Sequence, residues 1–253
     1  MKKTALLSAT TFLFLVTGLS VTQETQTAPI SRDGGVQQRL ISILIPSTPN
    51  APFTAIVHTE WTRILGDGST ITLKNHRAIG RDSAGRIFQE RRMLAPDGDT
   101  RETTLTEIEI SNPVSRDLYI CVLQRLTCRL LMFRHPGGAS STAAAAKIPG
   151  MEDLGARSIE GLEALGRQQT RTVPANAFGN DRPLVSKKEY WYSPALGINL
   201  ISKTEDPRFG TQSFEVSDIV RGEPDPKLFQ LPAGLKIIDL RHAPVVPSGA
   251  TQP

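Results

Sequence analysis

Apolar and polar residues alternate along most of this chain with a period of two, and turn clusters interrupt the alternation about every ten residues. From Phe53 to Leu65 the pattern predicts a long strand. Phe53, Ala55, Val57, Thr59 and Trp61 fall on one face, and Thr54, Ile56, His58, Glu60 and Thr62 on the other; the first face is the drier. Gly66-Asp67-Gly68 turns the chain, because both glycines accept a left-handed backbone. Further strands are predicted over Ile71–Ile79, Arg86–Leu94 and Thr103–Ile110, separated by Arg81–Gly85, Ala95–Gly98 and Asn112-Pro113. Asp117–Arg134 reads as a hairpin, and Asp153–Ile159 with Leu162–Val173 as another around Glu160-Gly161. Leu184–Asp239 is a terminal meander whose turns, Ser193–Gly197 and Asp206–Gly210, each hold a Pro and a Gly. Such a rhythm belongs to an antiparallel meander and not to βαβ units.

Three stretches depart from it. Val36–Ile45 is apolar at its C-terminal end and reads as a first strand or a short helix, ended by Pro46. Pro136–Gly150 is either a flexible insertion or one or two helical turns over Ala143–Ala146 capped by Ser140 or Ser141. In the closing segment, Pro224 and Pro226 hold the chain extended and Asp225 caps a turn through Lys227–Phe229. Proline has no N–H, so this segment suits a sheet edge. Phe229 is expected there as a buried plug against Phe214.

The N-terminus changes the picture of where the chain works. Lys2 and Lys3 precede an apolar run from Ala5 to Leu19, and Gly18 and Ser20 are small residues suited to a cut after Ser20. Residues 1–20 therefore read as a secretory signal peptide, with a retained anchor as the other reading. Residues 21–35 form a polar, disordered lead-in, 36–240 the folded domain and 241–253 a disordered tail. The expected location is periplasmic or secreted, and after cleavage the protein is not integral to a membrane. Removal of residues 1–20 takes two lysines and no acids, so the net charge falls from +4 to +2. That near-neutral balance argues against a nucleic-acid partner despite a pI near 9.2. Cys121 and Cys128, the two cysteines, fit a disulfide across the hairpin. A four-residue loop over Leu123–Leu126 pairs Val122 with Thr127 and sets 121 opposite 128, at a position where strands approach closely. Two buried free thiols are the alternative.

From Glu152 to Asp239 the chain resembles uncharacterised secreted bacterial proteins, through DLGARSIEGLEALGRQQTRTVPA, YWYSPALGINLISKTEDPRFG and EVSDIVRGEPDPKLFQLPAGLKIID. The meander and the closing F-x-L-P-x-G-x-x-I segment resemble the LolA-type lipoprotein-carrier superfamily over roughly residues 52–239. The resemblance implies a mainly β (α+β) fold. Its heart would be one strongly curved antiparallel sheet, a half-barrel with one or two short helices, whose hollow holds acyl chains. Two departures stand out: residues 30–51 make a poor helix where the carriers begin with a long amphipathic one, and Ala143–Ala146 is the one counterpart of their lid helices.

Candidate chemistry is sparse. His58, His76, His135 and His242 are scattered without metal-ligand spacing, and no metal or other cofactor is expected. Neither a GxSxG elbow nor a Gly-rich phosphate loop occurs. Glu107 and Glu109 share one strand face and either flank a substrate or belong to a solvated face. Lys74–Arg101 is basic, and Arg91 and Arg92, pointing to opposite faces, are the candidates for contacting an anionic group. Trp61, Phe88, Tyr119, Phe133, Trp191 and Phe214 are candidates for lining the hollow. These readings describe a non-catalytic exported envelope protein that binds an apolar or lipidated ligand. The alternative is an envelope interaction or sensor module without hydrophobic cargo. The expected partners are accordingly a lipid or lipoprotein, or another envelope protein.

Overall fold

The computed structural model describes residues 43–133, 150–177 and 179–242. The proposed signal peptide, the lead-in, the Ala143–Ala146 tract with Ser140 and Ser141, and His135 lie outside them. Twelve strands form one sheet: β1 (Phe53–Ile64), β2 (Thr70–Arg81), β3 (Ile87–Arg92), β4 (Leu105–Asn112), β5 (Asp117–Val122), β6 (Thr127–Met132), β7 (Met151–Ile159), β8 (Leu162–Val173), β9 (Leu184–Ser193), β10 (Ile198–Asp206), β11 (Gly210–Arg221) and β12 (Lys236–Asp239). Their order across the sheet is β12-β6-β5-β4-β3-β2-β1-β11-β10-β9-β8-β7. The sheet is strongly curved and does not close into a barrel.

The predicted turns are present. Glu160 and Gly161, both at positive φ (51° and 73°), join β7 to β8, a pairing of conformations that matches the twist of the flanking strands. Cys121 lies opposite Cys128, with Val122 opposite Thr127, and the two cysteines form a disulfide with a Cα–Cα distance of 3.9 Å. Two details refine that reading. β12 runs parallel to β6, so the sheet is not wholly antiparallel. The helical content of the described residues is two single 3-10 turns, Leu123–Arg125 and Pro226–Phe229. The second begins as expected, with the Asp225 carboxylate accepting the Lys227 N–H at 2.9 Å.

Phe53, Ala55 and Val57 are almost fully buried and define what we call the inner face. They belong to one apolar cluster with Ile79, Ile87, Leu162, Ala164, Trp191, Leu196, Ile198, Leu200, Phe214 and Val216. Full burial of each large side chain contributes about 1.5–3 kcal/mol. Ile43 and Ile45 join the cluster while Leu44 stays exposed, so the end of the 36–45 stretch alternates like a strand without pairing as one. Curvature toward the inner face is visible at Arg81, opposite Phe53. Its guanidinium donates at 2.7 Å to Leu196 O, in the β9–β10 turn three strands away.

The other face has a smaller buried row: Phe88, Ile110 and Leu130, with Tyr119 half-buried, run side by side across β3–β6, next to the disulfide. The chain leaving β11 must cross β1–β5 to reach β6. Leu228 tells on which face it crosses, since it lines a slot of 270 Å³ with Thr54, Ile56, Ala78 and Phe88. Phe229 departs from expectation. It is half-buried, and it meets Arg86 (4.6 Å from guanidinium carbon to ring centroid) and not the core that holds Phe214. The 3-10 turn docks on β3 because Glu223, which accepts from Ser83 N and Oγ, ties the crossing segment to the β2–β3 turn.

Candidate binding face

Along the inner face the side chains change character from one half of the sheet to the other. On β1 and on β8–β11 they are mostly apolar, Thr59 and Gln212 being buried polar members. On β2–β4 the alternation continues with charge. Arg77 stands opposite Val57, Gln89 opposite both Ile79 and Glu109, and Arg91 opposite Glu107. Glu109 faces Ile120 on β5, which faces Arg129 on β6. Five polar side chains thus adjoin one another on β2–β4 beside the apolar cluster, and Arg129 stands beyond Ile120 on β6.

The patch grades from buried at Arg77 to exposed at Arg129. Arg77 is 3% exposed and donates to Glu90 O at 3.1 Å. Burial, assisted by the neighbouring Arg91 charge, pulls its pKa down to about 9. It therefore remains a cation at neutral pH. Arg91 grips Glu109 through both edges of its fork, Nε to Oε1 at 3.0 Å and Nη2 to Oε2 at 3.1 Å. Burial first, then the Glu109 charge and a hydrogen bond to it, push the Glu107 carboxyl above its ordinary value, while Arg91 and Arg129 pull it down. The solvated-face reading of Glu107 and Glu109 is accordingly replaced by a half-buried pair, with Glu109 held by Arg91. Two side-chain carbonyl oxygens here are buried without a hydrogen-bond partner: Gln89 Oε1 and Asn75 Oδ1. Asn75, opposite Thr59 on this face, is 5% exposed, and its amide nitrogen donates to Arg92 O and Met93 O.

The predicted lining residues do not gather at one place. Trp191 and Phe214 are in the apolar cluster. Trp61, half-buried on the inner face of β1, donates its indole N–H to Phe209 O at 3.0 Å. Phe88 and Tyr119 stand on the outer face by register, and Phe133 is buried outside the cluster. Trp191 sits between Arg157, 3.7 Å from the ring centroid, and Gly166, where a Cβ would come within 2.6 Å of the ring. Only glycine permits that approach.

Arg91 and Arg92 separate as expected. Arg92 is held by Glu90, Glu102 and the Thr103 carbonyl. Most of the remaining basic stretch is ion-paired: Lys74 with Glu60 and Asp99, Arg86 with Asp82, Arg101 with Asp97. Arg81, read from sequence as part of that basic stretch, is fully buried. His58 and His76 are cross-strand neighbours with ring centroids 6.2 Å apart, bound to Ser217 Oγ and Gly98 O. Among the described residues no group of three or more His, Cys, Asp or Glu could hold a metal ion. No helix among them is long and apolar enough to cross a membrane. Sequence reasoning missed Arg77, Gln89 and Arg129 as members of a patch. The available signal was charge at period two on strands whose other face carries Phe88 and Ile110.

No protein-family model matches this chain, and no curated protein matches it. Solved structures do. The MucA/MucB complex of Pseudomonas aeruginosa is similar at 12% identity and a TM-score of 0.41, over 76% of this chain and 59% of that one. This chain therefore spans less than two thirds of the MucB length. A LolA superfamily protein from Nitrosomonas europaea is similar at 12% identity and a TM-score of 0.30, over 72% of this chain and 91% of that one. The lipoprotein LppX of Mycobacterium tuberculosis is similar at 9% identity and a TM-score of 0.29, over 70% and 88%. A protein of the LolA superfamily, the family that the sequence resembles, is among these solved structures.

Proposed function

We propose that this chain is a non-catalytic, exported envelope protein that binds an apolar or lipidated ligand against the curved inner face of its sheet. What supports the reading is the open, curved sheet, whose inner face from β8 to β1 carries Val57, Trp191, Leu200, Phe214 and Val216 as one buried apolar cluster that a ligand would have to enter. Open curved sheets of this kind offer a concave, mostly apolar surface suited to a ligand. The signal-peptide pattern of residues 1–20 supports export. A non-catalytic role is supported by Glu109, whose carboxylate is already engaged by Arg91.

A second reading, an interaction or sensor module without cargo, is favoured by β7. It is an outer edge of the sheet, and most of its residues are exposed. An edge strand has unpaired backbone groups that a partner strand can bond. Native mass spectrometry of protein purified from the envelope separates the two. A co-purifying lipid or acylated peptide is expected under the first reading. A clean apo mass, with a protein partner recovered by crosslinking through β7, would replace it with the second.

A further inference from the structure

The connections of the sheet divide between its two ends. Five of them, β1–β2, β3–β4, β5–β6, β8–β9 and β10–β11, lie at one end with the start of β12. There the β1–β2 hairpin projects. β1 keeps its partner β2 as far as Ile64, but its last pairing with β11 is Thr62 with Thr211. It therefore runs two residues past β11, about 7 Å at about 3.4 Å per residue. On the other side, the first strand contact of β2 is Lys74 with Ala95. Every residue from 63 to 71 is exposed. Ile64 is 72% exposed, and Ile71, which stands opposite Arg63 and so takes the other face, is 40% exposed. An antiparallel hairpin commonly packs one face and turns polar residues to water on the other. This tip packs neither, and each face carries an isoleucine. Ile64 also lines a groove of 430 Å³ that reaches Val185 on β9, another exposed apolar residue. Leu65, Met93 and Leu126 extend exposed apolar surface along the same end.

Charge at this end selects the partner. The acids of the groove, Glu205 and Asp206, are held by Lys203 and Arg208. Its cations, Arg63 and Lys187, stand beside them, so four cations surround two carboxylates. Arg125, Arg171 and Lys236 add exposed positive charge along the same end. The acids of the β3–β4 connection, Asp97, Asp99 and Glu102, are paired with Arg101, Lys74 and Arg92. Asp67, in the tip itself, turns its carboxylate to Ser69 N and Oγ. Exposed apolar side chains flanked by cations suit an anionic bilayer: the apolar groups enter the acyl boundary, and the cations meet lipid phosphates. That boundary lies about 5–10 Å deep, which the projecting tip can reach. We infer that this end of the sheet docks on an anionic lipid surface, with Ile64 and Ile71 of the β1–β2 tip among the acyl chains and Arg63 and Lys187 on the phosphates. An acidic protein would meet the same cations, but it would not require a tip that is apolar on both faces. The inference goes beyond the proposed function and does not rest on it, since it concerns one end of the sheet and not its inner face.

The test uses the chain without residues 1–20, whose apolar run would bind vesicles by itself. Partition is measured by flotation with vesicles of phosphatidylglycerol and phosphatidylcholine, and with phosphatidylcholine alone. The tip variant is Ile64→Thr with Ile71→Thr, which keeps the β-branch that a strand favours. The charge variant is Arg63→Gln with Lys187→Gln. The control, Val114→Thr with Val220→Thr, alters exposed apolar residues at the opposite end of the sheet. All six positions are exposed, so the buried cluster is untouched in every variant. Wild-type protein should bind the anionic vesicles at least tenfold better than the neutral ones and be released by high salt. The tip variant should lose at least tenfold. The charge variant should lose roughly tenfold or more, since each cation near an anionic surface contributes about fivefold. The control should bind as wild type does. An Ile64→Trp variant should be quenched by acyl chains brominated near the headgroup. No preference for anionic vesicles, or a tip variant that binds like wild type, would overturn the inference. So would an equal loss in the control, or a tryptophan at position 64 that the brominated chains leave unquenched. None of these failures would touch the apolar-ligand reading, which concerns the inner face.

Discussion

Replacement of Arg81 should unfold this protein more readily than replacement of any other arginine discussed above. The side chain is fully buried opposite Phe53. Its Nε and Nη2 donate to Ala51 O at 3.0 and 2.8 Å, Nη1 to Pro46 O at 2.9 Å, and Nη2 also to Leu196 O at 2.7 Å. The guanidinium carbon lies 5.1 Å from the Phe53 ring centroid. One side chain thereby ties the loop before β1 and the β9–β10 turn to the end of β2. Arg81→Met fills similar space but donates nothing. Pro46 O keeps a bond from Thr48 N, so the loss falls on Ala51 O and Leu196 O. Each buried carbonyl left without its donor costs about 1–3 kcal/mol, and the lost ring contact adds about 0.5–2 kcal/mol. Relief from burying a charge offsets part of this, leaving about 3–5 kcal/mol, a large share of the roughly 5–15 kcal/mol of a typical domain. With a urea slope near the upper end of about 1–3 kcal/mol per molar, the unfolding midpoint should move down by roughly 1–1.5 M. Arg81→Lys keeps the charge but not the fork, and should fall between. A midpoint for Arg81→Met within about 0.3 M of wild type would show that these bonds do not hold the sheet in its curve.

Three further outcomes are expected. Thiol labelling of unfolded, unreduced protein should find no free cysteine, and Cys121→Ser with Cys128→Ser should lower stability by about 2 kcal/mol, because the loop closed is short; two labels per chain would contradict the disulfide. Phe229→Ala should cost about 1–2 kcal/mol in a urea melt, less than the roughly 3–5 kcal/mol of a fully buried phenylalanine, since the ring is half-buried against Arg86. Glu107 should make stability fall as pH rises. Its folded pKa lies above the unfolded 4.5, so the folded state binds the extra proton between those two values, and the advantage is lost as pH climbs through the folded one. Glu107→Gln should abolish that slope in melts followed from pH 4 to 8 and be at least as stable as wild type at pH 7; a variant with the same slope would place the proton elsewhere.

Strand positions and turns were legible because alternation and turn chemistry are properties of consecutive residues. Phe53–Ile64, the Gly66–Gly68 turn, the Glu160-Gly161 hairpin and the terminal meander all follow from local patterns. The cysteine pairing was legible for the same reason, since a four-residue loop sets the register of a hairpin without help from the rest of the chain. The Asp225 cap is equally local. What depends on residues far apart in sequence came only from the tertiary structure. β1 lies between β2 and β11, which start 140 residues apart along the chain, and no local pattern selects that neighbour. The parallel seat of β12 beside β6 follows from how far the crossing segment reaches after Glu223 is fastened to Ser83. Burial inverted the meaning of three charged residues. Arg81 and Arg77 look solvated in a basic stretch, but curvature closes the inner face over the first, and cross-strand register sets the second beside Val57 and Arg91. Glu107 looks like an exposed acid until the loss of water and its neighbour Glu109 raise its hold on a proton against the pull of Arg91. Hydrophobic alternation decides which face a side chain takes; only the packed sheet decides whether water remains there.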